Sequence, residues 1–313
     1  MELRRLGSFE VSVVGLGCNN FGMRIDEDQS RDVVHAALDA GINFFDTSDS
    51  YGGTRSEQFL GRALAGRRDE VVIATKFASP VDDDPAHRGA SARWITEEVE
   101  NSLRRLGTDR IDLYQQHYPD KDVPMEETLE ALDGLVRAGK ILEIGNSNFD
   151  ASQLSQADAI SRQKGWARFV SAQNELSLLR RRAADELLPV CEELGLAFLP
   201  YFPLASGLLT GKYRRGEEPP EGTRMQAWGS GFSERQLTDK NFDRVDALTA
   251  WAEARGHSIL DLAFAWLLAH DRVSSVIAGA TRPEQIKANV EAARWKLSAD
   301  ELVDLRRVLA ETA

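Results

Sequence analysis

Four polar side chains lie at or just beyond the ends of apolar, strand-like runs, and together they could transfer a proton. The set consists of Asp46, Tyr51, Lys76 and His117. A tyrosine phenol has an unperturbed pKa of about 10 and a lysine one of about 10.4. A nearby ammonium lowers the pKa of a phenol, and a carboxylate beside that ammonium keeps it charged and oriented. The set therefore predicts a general-acid tyrosine tuned by Lys76 and Asp46, with His117 orienting a carbonyl oxygen.

Each of these residues also has a simpler structural interpretation. Asp46 precedes Thr and Ser and could cap the following turn. Lys76 at a strand end could extend along the surface to solvent, and Tyr51 before two glycines could be an ordinary turn aromatic. A lone histidine such as His117 is more often a core residue than a catalyst. The prediction that all four lie at one rim favours the catalytic interpretation.

The elements that must position this set alternate between short β-rich runs and longer amphipathic stretches. Strands are predicted near residues 13–17, 42–46, 71–76, 111–115, 141–145, 169–173, 197–202 and 275–278. Helices are predicted over residues 29–40, 57–65, 97–106, 126–138 and 185–194, among others. Eight such strands favour a single α/β domain over residues 1–313, folded as a (β/α)8 TIM barrel. Residues 3–14 predict a hairpin that caps the barrel bottom, and the active site is expected at the carboxyl ends of the strands.

Local signals mark helix ends and loops. Thr96 is a predicted N-cap, and Gly41, Gly107 and Gly139 follow helices where a glycine is favoured. The stretch 213–236 is rich in Gly, Pro, Glu and Arg, which is typical of a binding loop or lid. Together with residues 87–93 and 118–123 it is expected to set specificity, with Trp94 and Trp228 nearby.

Composition excludes several classes of function. The net charge of −12 argues against nucleic acid as a partner, and no run approaches the ~20 apolar residues of a membrane span. The two cysteines and five histidines form no metal-binding spacing, so no metal is expected. With no signal-peptide pattern, the expected location is the cytoplasm.

Two nucleotide-binding motifs fail on spacing. In "GLGCNNFG" the third glycine of a dinucleotide fingerprint should be at position 20, which is Asn20. In "GLLTGKY" only three residues separate Gly207 from Gly211, and Tyr213 occupies the position of the P-loop Ser or Thr. Any nucleotide must therefore be bound by other means.

The chain resembles the aldo-keto reductases along nearly its whole length. The blocks "GINFFDTSDSYG", "SEQFLGRAL", "VVIATK", "LRRLGTDRIDLYQQHYPD", "GKILEIGNSNF" and "LPYFPLASGLLTGKY" match that family in order. The branch it resembles includes bacterial general-stress reductases and potassium-channel β subunits. The resemblance implies a (β/α)8 barrel, a nicotinamide cofactor and a catalytic tetrad that falls on Asp46, Tyr51, Lys76 and His117 without substitution.

The resemblance also implies a set of cofactor-binding residues. Ser147, Asn148 and Gln173 match the residues that hold the carboxamide, and Tyr201 matches the aromatic that stacks on the ring. The segment over the pyrophosphate comprises Phe202, Pro203, Leu204, Ser206, Gly207, Leu208 and Lys212. The adenosine end falls on Gly279, Gln285 and Asn289, and Gly17, Asn19 and Asp46 complete the set. Some branches of the family bind the 2′-phosphate with a lysine and a serine, where this chain has Gly279 and Ala280. The candidates for binding that phosphate here are therefore Thr281, Arg282 and Lys212. Arg282 could equally be a solvated residue at a helix start.

The resulting prediction is an NADPH-dependent reductase of aldehydes or ketones, with NADP(H) preferred over NAD(H). The partners expected are a small carbonyl or alcohol substrate and, at most, weak association with a second copy of the chain. The alternatives are a nicotinamide-binding regulatory subunit with little turnover and a metal-dependent barrel isomerase or hydrolase. The physiological substrate and the direction of reaction do not follow from the sequence.

Overall fold

Eight parallel strands form the barrel that the alternating pattern predicts, and a two-stranded hairpin precedes them. The computed structural model describes residues 1–311. The hairpin is formed by β1 (Leu3–Leu6) and β2 (Phe9–Ser12), which pair antiparallel. The barrel strands are β3 (Val14–Gly17), β4 (Phe44–Asp46), β5 (Val72–Phe77), β6 (Ile111–Gln116), β7 (Ile141–Ser147), β8 (Phe169–Glu175), β9 (Ala197–Tyr201) and β10 (Val276–Gly279). All eight predicted barrel strands and the hairpin are confirmed, with small shifts at their ends.

The barrel closes between its seventh and eighth strands. The strand order is β10-β3-β4-β5-β6-β7-β8-β9, with every neighbouring pair parallel. A single parallel bridge between Phe198 and Val273 joins the two edges. Its hydrogen bonds run from Phe198 N to Arg272 O (2.6 Å) and from Ser274 N to Phe198 O (3.1 Å). The carboxyl ends of all eight strands therefore meet at one rim.

Helices follow the strands and cover the outside of the barrel. They are α1 (Glu27–Asp39), α2 (Arg55–Ala63), α3 (Ala92–Leu106), α4 (Met125–Arg137), α5 (Ala151–Lys164), α6 (Arg182–Glu186), α7 (Leu188–Leu194), α8 (Arg224–Ala227), α9 (Ser230–Gln236), α10 (Asp239–Glu253), α11 (Ile259–Leu268), α12 (Pro283–Ala292) and α13 (Ala299–Glu311). Two 3-10 helices cover Arg68–Glu70 and Ala205–Thr210. Within residues 1–311, no helix has the length and apolar character needed to cross a membrane.

Two predicted helix features differ in the structure. Thr96 is wrong as an N-cap: α3 begins at Ala92, and Ser91 is the cap, accepting a hydrogen bond from Trp94 N at 3.3 Å. The apolar pair at Trp94 and Ile95 extends the buried face by a full turn, so the helix starts earlier than the cap signal at Thr96 indicates. The helix predicted over 185–194 is divided into α6 and α7 at Leu187, where a proline follows at the start of α7 and lacks an N–H donor.

The glycines predicted after helices are confirmed. Gly107 caps α3 in the left-handed conformation at φ 65°. Gly41 and Gly139 follow the last residues of α1 and α4 with φ 81° and 71°. The stretch 213–236 contains α8 and α9. Residues in and beside α8, among them Arg224 and Trp228, lie at the carboxyl rim.

The core has two parts. A smaller cluster fills the inside of the barrel and its bottom, where the hairpin side chains Leu6 and Val11 pack against strand residues. The members of this cluster are Leu6, Val11, Phe44, Val72, Ala74, Leu113, Ala197, Leu199 and Ile277. A larger cluster lies between strands and helices. Apolar side chains fill the bottom of the barrel, and polar side chains lie at the opposite end, the carboxyl rim. The assignment of the whole chain to one domain stays a prediction.

Candidate active site

Three strand ends and one turn bring the predicted tetrad together. Asp46 ends β4, Lys76 lies near the end of β5, and His117 directly follows β6. Lys76 Nζ donates to Asp46 Oδ2 at 2.6 Å and to the carbonyl oxygen of Thr47 at 2.8 Å. The ring centroid of Tyr51 lies 5.1 Å from Lys76 Nζ and 5.8 Å from that of His117. The carboxylate, ammonium, phenol and imidazole thus form one contiguous group.

The ammonium of Lys76 is held in its charged form although it is fully buried. Burial alone would lower the pKa of Lys76, but Asp46 and Tyr51 together raise it above the ordinary value. The effect on the phenol differs from the sequence-based argument. Lys76 lowers the pKa of Tyr51 as predicted, yet burial outweighs it, and the net pKa of Tyr51 is raised. Tyr51 is therefore a protonated phenol at neutral pH, ready to donate.

His117 is a neutral imidazole in this site. Burial, assisted by the positive charge of Lys76, lowers its pKa to about 3. Its Nδ1 atom lies 2.9 Å from Ser79 Oγ and 3.3 Å from Ser48 Oγ. Its ring stacks on that of Tyr118 at 4.7 Å. A neutral imidazole can donate one hydrogen bond to a substrate, without a net charge.

Two glutamine side chains hold Asp46 in place. Gln115 Nε2 donates to Asp46 Oδ1 at 3.1 Å, and Gln173 Nε2 donates to the same oxygen at 2.8 Å. Together with Lys76 on Oδ2, these bonds satisfy both carboxylate oxygens of a residue that is only 3% exposed. Gln115 was not identified in the sequence, where "YQQH" carries no signal of which glutamine points inward.

A cavity of about 830 Å³ opens above the tetrad at the carboxyl rim. Besides Asp46, Tyr51 and His117, it is lined by nearly all residues predicted to bind cofactor: Gly17, Asn19, Ser147, Asn148, Gln173, Tyr201, Phe202, Pro203, Leu204, Ser206, Gly207, Lys212, Gly279, Thr281, Arg282, Gln285 and Asn289. Two predicted residues are not in its wall. Lys76 is fully buried beneath it, and Leu208 packs in the hydrophobic core, so only its backbone could contact a ligand.

The predicted specificity loops contribute unequally. Trp228 and several neighbours from 213–236 line the cavity, as does Tyr118. The loop 87–93 contributes no residue to the wall. Trp94 is 1% exposed and stacks on His87 at 5.0 Å, so it is a core residue and not an aromatic wall of the site.

Four basic side chains surround the cavity: Arg24, Lys212, Arg224 and Arg282. Burial and the charge of Arg24 lower the pKa of Arg224 to about 10, and burial with the charges of the three arginines lowers that of Lys212. Among residues 1–311 none of the four forms an ion pair with a carboxylate. In a chain of net charge −12, such a cluster suits an anionic ligand.

Arg24 and Arg224 were not identified in the sequence. Arg224 lies in the irregular stretch 213–236 and stacks on Phe202 and Trp228 at 4.9 and 5.2 Å. Arg24 donates to Asn20 Oδ1 at 3.4 Å. The feature that distinguishes them from surface arginines is that neither forms an ion pair with a carboxylate of residues 1–311. That feature is visible only in the three-dimensional structure.

Two glycines and a left-handed turn shape the backbone of the cavity wall. A Cβ atom on Gly279 would lie 3.0 Å from Asn19 Oδ1. Gly207 has φ 96°, a left-handed conformation that favours glycine. Ala205, Ser206 and Gly207 have positive φ. The N–H groups of Ala205 and Gly207 donate within this turn, to Phe202 O at 2.9 Å and to Leu204 O at 2.8 Å. Helix α12 starts with its positive end at this wall, beside Thr281 and Arg282. Among residues 1–311 no three His, Cys, Asp or Glu side chains are grouped as metal ligands.

Comparison with known proteins agrees with this geometry. The sequence model of the Aldo/keto reductase family matches residues 13–310. The chain belongs to the aldo/keto reductase family. This membership makes it an oxidoreductase of a family that generally uses nicotinamide cofactors.

Relatives of this aldo/keto reductase include enzymes and channel subunits. It is 36% identical over 310 residues to the aldo-keto reductase YhdN of Bacillus subtilis strain 168, spanning 97% of this chain and 91% of the relative. It is 33% identical over 306 residues to the L-glyceraldehyde 3-phosphate reductase of Escherichia coli K12, spanning 94% and 87%. It is also 33% identical over 299 residues to a probable voltage-gated potassium channel subunit beta of Oryza sativa subsp. japonica, spanning 93% and 91%.

Proposed function

We propose that this aldo/keto reductase is an NADPH-dependent carbonyl reductase in which Tyr51 is the proton donor. The observation that carries the proposal is the contiguous group of Asp46, Lys76, Tyr51 and His117 at the floor of a cavity wide enough for a dinucleotide and a small substrate. When bound, the reduced nicotinamide supplies the hydride for an aldehyde or ketone carbon.

Each residue of the tetrad has one role in this proposal. Tyr51 holds its proton at neutral pH and gives it to the carbonyl oxygen as negative charge develops there. Lys76 stabilises the phenolate left behind, and Asp46 keeps Lys76 charged and directed. Neutral His117 donates a second hydrogen bond to the same oxygen and so orients the substrate.

The proposed cofactor residues divide by the part of the cofactor they hold. Ser147, Asn148 and Gln173 hold the carboxamide, and Tyr201 stacks on the ring. Residues 202–208 with Lys212 cover the pyrophosphate, and Gly279, Gln285 and Asn289 hold the adenosine. Gly17 and Asn19 border this wall.

The charge of the cavity supports NADPH over NADH. A pyrophosphate carries about two negative charges, and a 2′-phosphate with a second pKa near 6 adds ~1.5 to 2 more. Four cations without carboxylate partners among residues 1–311, against one exposed acid at the rim, Glu221, favour the more negative cofactor, NADPH. We assign the 2′-phosphate to Thr281, Arg282 and Lys212.

The substrate is proposed to be a small carbonyl compound, or the matching alcohol in reverse. The relative named L-glyceraldehyde 3-phosphate reductase supports a carbonyl substrate in this part of the family. The relatives named as probable potassium channel subunits support the alternative of a nicotinamide-binding subunit with little turnover. We also propose that the protein acts in the cytoplasm as a monomer or weak homo-oligomer.

Titration with NADPH and with NADH, followed by tryptophan fluorescence, tests the cofactor assignment. We expect NADPH to bind at least tenfold more tightly than NADH, and Arg282→Ala to remove most of this difference while leaving NADH affinity unchanged. Arg294→Ala is the matched control, because Arg294 is an exposed arginine that forms a surface ion pair with Glu291. Equal affinities in the unaltered protein would contradict the NADP preference, and no binding of either would contradict the reductase proposal.

A further inference from the structure

Two buried hydroxyl groups join the turn after Asp46 to helix α2 and to the end of strand β3. Thr47 Oγ1 and Ser56 Oγ lie 2.8 Å apart, and Ser56 Oγ donates to the carbonyl oxygen of Cys18 at 2.9 Å. Both hydroxyl side chains are fully buried. Ser56 has a single hydroxyl proton, which its bond to the Cys18 carbonyl uses, so Thr47 is the donor to Ser56. The two hydroxyls therefore form one directed chain from the turn to the barrel strand.

The backbone of the same two residues holds two members of the tetrad. The carbonyl oxygen of Thr47 accepts a hydrogen bond from Lys76 Nζ at 2.8 Å. The N–H group of Ser56 donates to the carbonyl oxygen of Tyr51 at 3.2 Å. The bond between the two hydroxyls thus ties the residue that receives the ammonium to the residue that holds the backbone of the tyrosine.

The direction of the Lys76 ammonium depends on where the Thr47 carbonyl lies. An ammonium has three N–H groups. Two of them are taken by Asp46 Oδ2 at 2.6 Å and by the Thr47 carbonyl oxygen at 2.8 Å. These two bonds fix the direction of the third N–H group, and the ring centroid of Tyr51 lies 5.1 Å from Nζ. A displaced Thr47 carbonyl would turn the ammonium and change its position relative to the phenol.

We propose that Thr47 and Ser56 are positioning residues that hold the ammonium of Lys76 against the phenol of Tyr51. Neither residue lines the cavity, so each acts through the tetrad and not by contact with substrate or cofactor. The inference rests on the proposed function, because the ammonium stabilises the phenolate that Tyr51 becomes after it gives up its proton.

Alkaline titration of Tyr51 tests this positioning in protein without cofactor or substrate. Lys76 lowers the pKa of Tyr51 against the larger, raising effect of burial. We expect Thr47→Val, which removes the hydroxyl and keeps the shape, to move the ionisation of Tyr51 up by about one pH unit, because a misdirected ammonium opposes burial less. Phenolate absorbance measures it, as the difference from the same protein carrying Tyr51→Phe. An unchanged ionisation in Thr47→Val would overturn the proposal.

Two further variants separate positioning from a general loss of stability. Thr128→Val is the matched control, because Thr128 is buried in α4 and its hydroxyl donates to the Ala90 carbonyl at 2.8 Å, outside the cavity wall. We expect it to leave the ionisation of Tyr51 unchanged. Thr47→Ser keeps the hydroxyl and should also leave it unchanged. A shift in Thr128→Val as large as that in Thr47→Val would overturn the proposal.

Steady-state kinetics measure the consequence for reduction. We expect Thr47→Val and Ser56→Ala each to lower kcat about tenfold, with KM and NADPH affinity unchanged. The double variant should lose no more than the larger single loss, because the two hydroxyls act as one unit. A kcat in both single variants equal to that of Thr128→Val would overturn the proposal. Absence of carbonyl reduction by the unaltered protein would instead contradict the proposed function, and the titration of Tyr51 would still decide the positioning.

Discussion

At the scale of single residues, two opposing effects decide the pKa of the Tyr51 phenol. The ammonium of Lys76 acts on the phenol of Tyr51 in the predicted direction, but burial of the phenol has the larger effect. The result is a phenol that keeps its proton at neutral pH. In the proposed mechanism, Lys76 matters most for the phenolate formed after proton transfer, because its Nζ atom lies 5.1 Å from the centre of the Tyr51 ring. His117 titrates far below neutrality for the same reason of burial.

The pH dependence of reduction follows from these two groups. His117, with a pKa of about 3, stays neutral above pH 5, and Tyr51, with a raised pKa, stays protonated up to pH ~9. We therefore expect kcat/KM for carbonyl reduction to be flat from pH 5 to 9 and to fall only at higher pH, as Tyr51 loses its proton. The measurement is a pH profile of kcat/KM at saturating NADPH. A transition near pH 6.5 that disappears in His117→Gln would contradict the buried, neutral histidine.

The sequence predicted the tetrad but not the contacts that support it, and it assigned Gln173 to the cofactor alone. Asp46, Lys76 and His117 each lie at or just beyond the end of a predicted strand, so their position along the chain indicates their place at the rim. Gln115 and Ser79 gain their roles from contacts across neighbouring strands and loops, with Asp46 and His117 respectively. Such contacts depend on strand register and side-chain direction, which the order of residues alone does not give.

At the scale of elements, the sequence predicted the strands more accurately than it predicted where helices begin and end. Buried strands of a parallel barrel are short apolar runs, which explains why all eight were predicted. The start of α3 was missed because a polar residue inside a helix can resemble a cap. Thr96 donates to the Ala92 carbonyl within the helix, while Ser91 binds the free N–H of Trp94.

A pair of alanine substitutions tests which residue caps α3. Ser91→Ala should lower the free energy of unfolding by about 1 kcal/mol, because a backbone N–H of the first turn loses its acceptor. Thr96→Ala should change it by less than about 0.5 kcal/mol, since alanine is the better helix former at an exposed position. Chemical denaturation of both variants measures the difference. A larger loss for Thr96→Ala would contradict the assigned start of the helix.

At the scale of the whole molecule, charge is distributed unevenly. The chain as a whole carries −12, yet four basic side chains converge on the one cavity above the tetrad without carboxylate partners within residues 1–311. Arg24 follows β3, Lys212 and Arg224 follow β9, and Arg282 follows β10, so only closure of the barrel brings them together. The net charge argued against nucleic acid as a partner, which stays a prediction, but it could not reveal this local cluster of positive charge.

The barrel also separates stability from function. The hairpin and the apolar interior occupy the bottom, while nearly every polar residue of the proposed site lies at the carboxyl rim. This division lets the rim carry buried charges and positive-φ backbone without weakening the core beneath it.

The most direct test of the central claim is single-turnover reduction by Tyr51→Phe. Enzyme loaded with NADPH is mixed with a panel of aldehydes and ketones, and oxidation of the cofactor is followed by its absorbance. We expect the unaltered protein to oxidise NADPH with at least one carbonyl compound, and Tyr51→Phe to do so about 10²- to 10⁴-fold more slowly with NADPH affinity nearly unchanged. Turnover by Tyr51→Phe at the unaltered rate would contradict Tyr51 as the proton donor, and tight NADPH binding without oxidation by any carbonyl would favour the regulatory subunit instead.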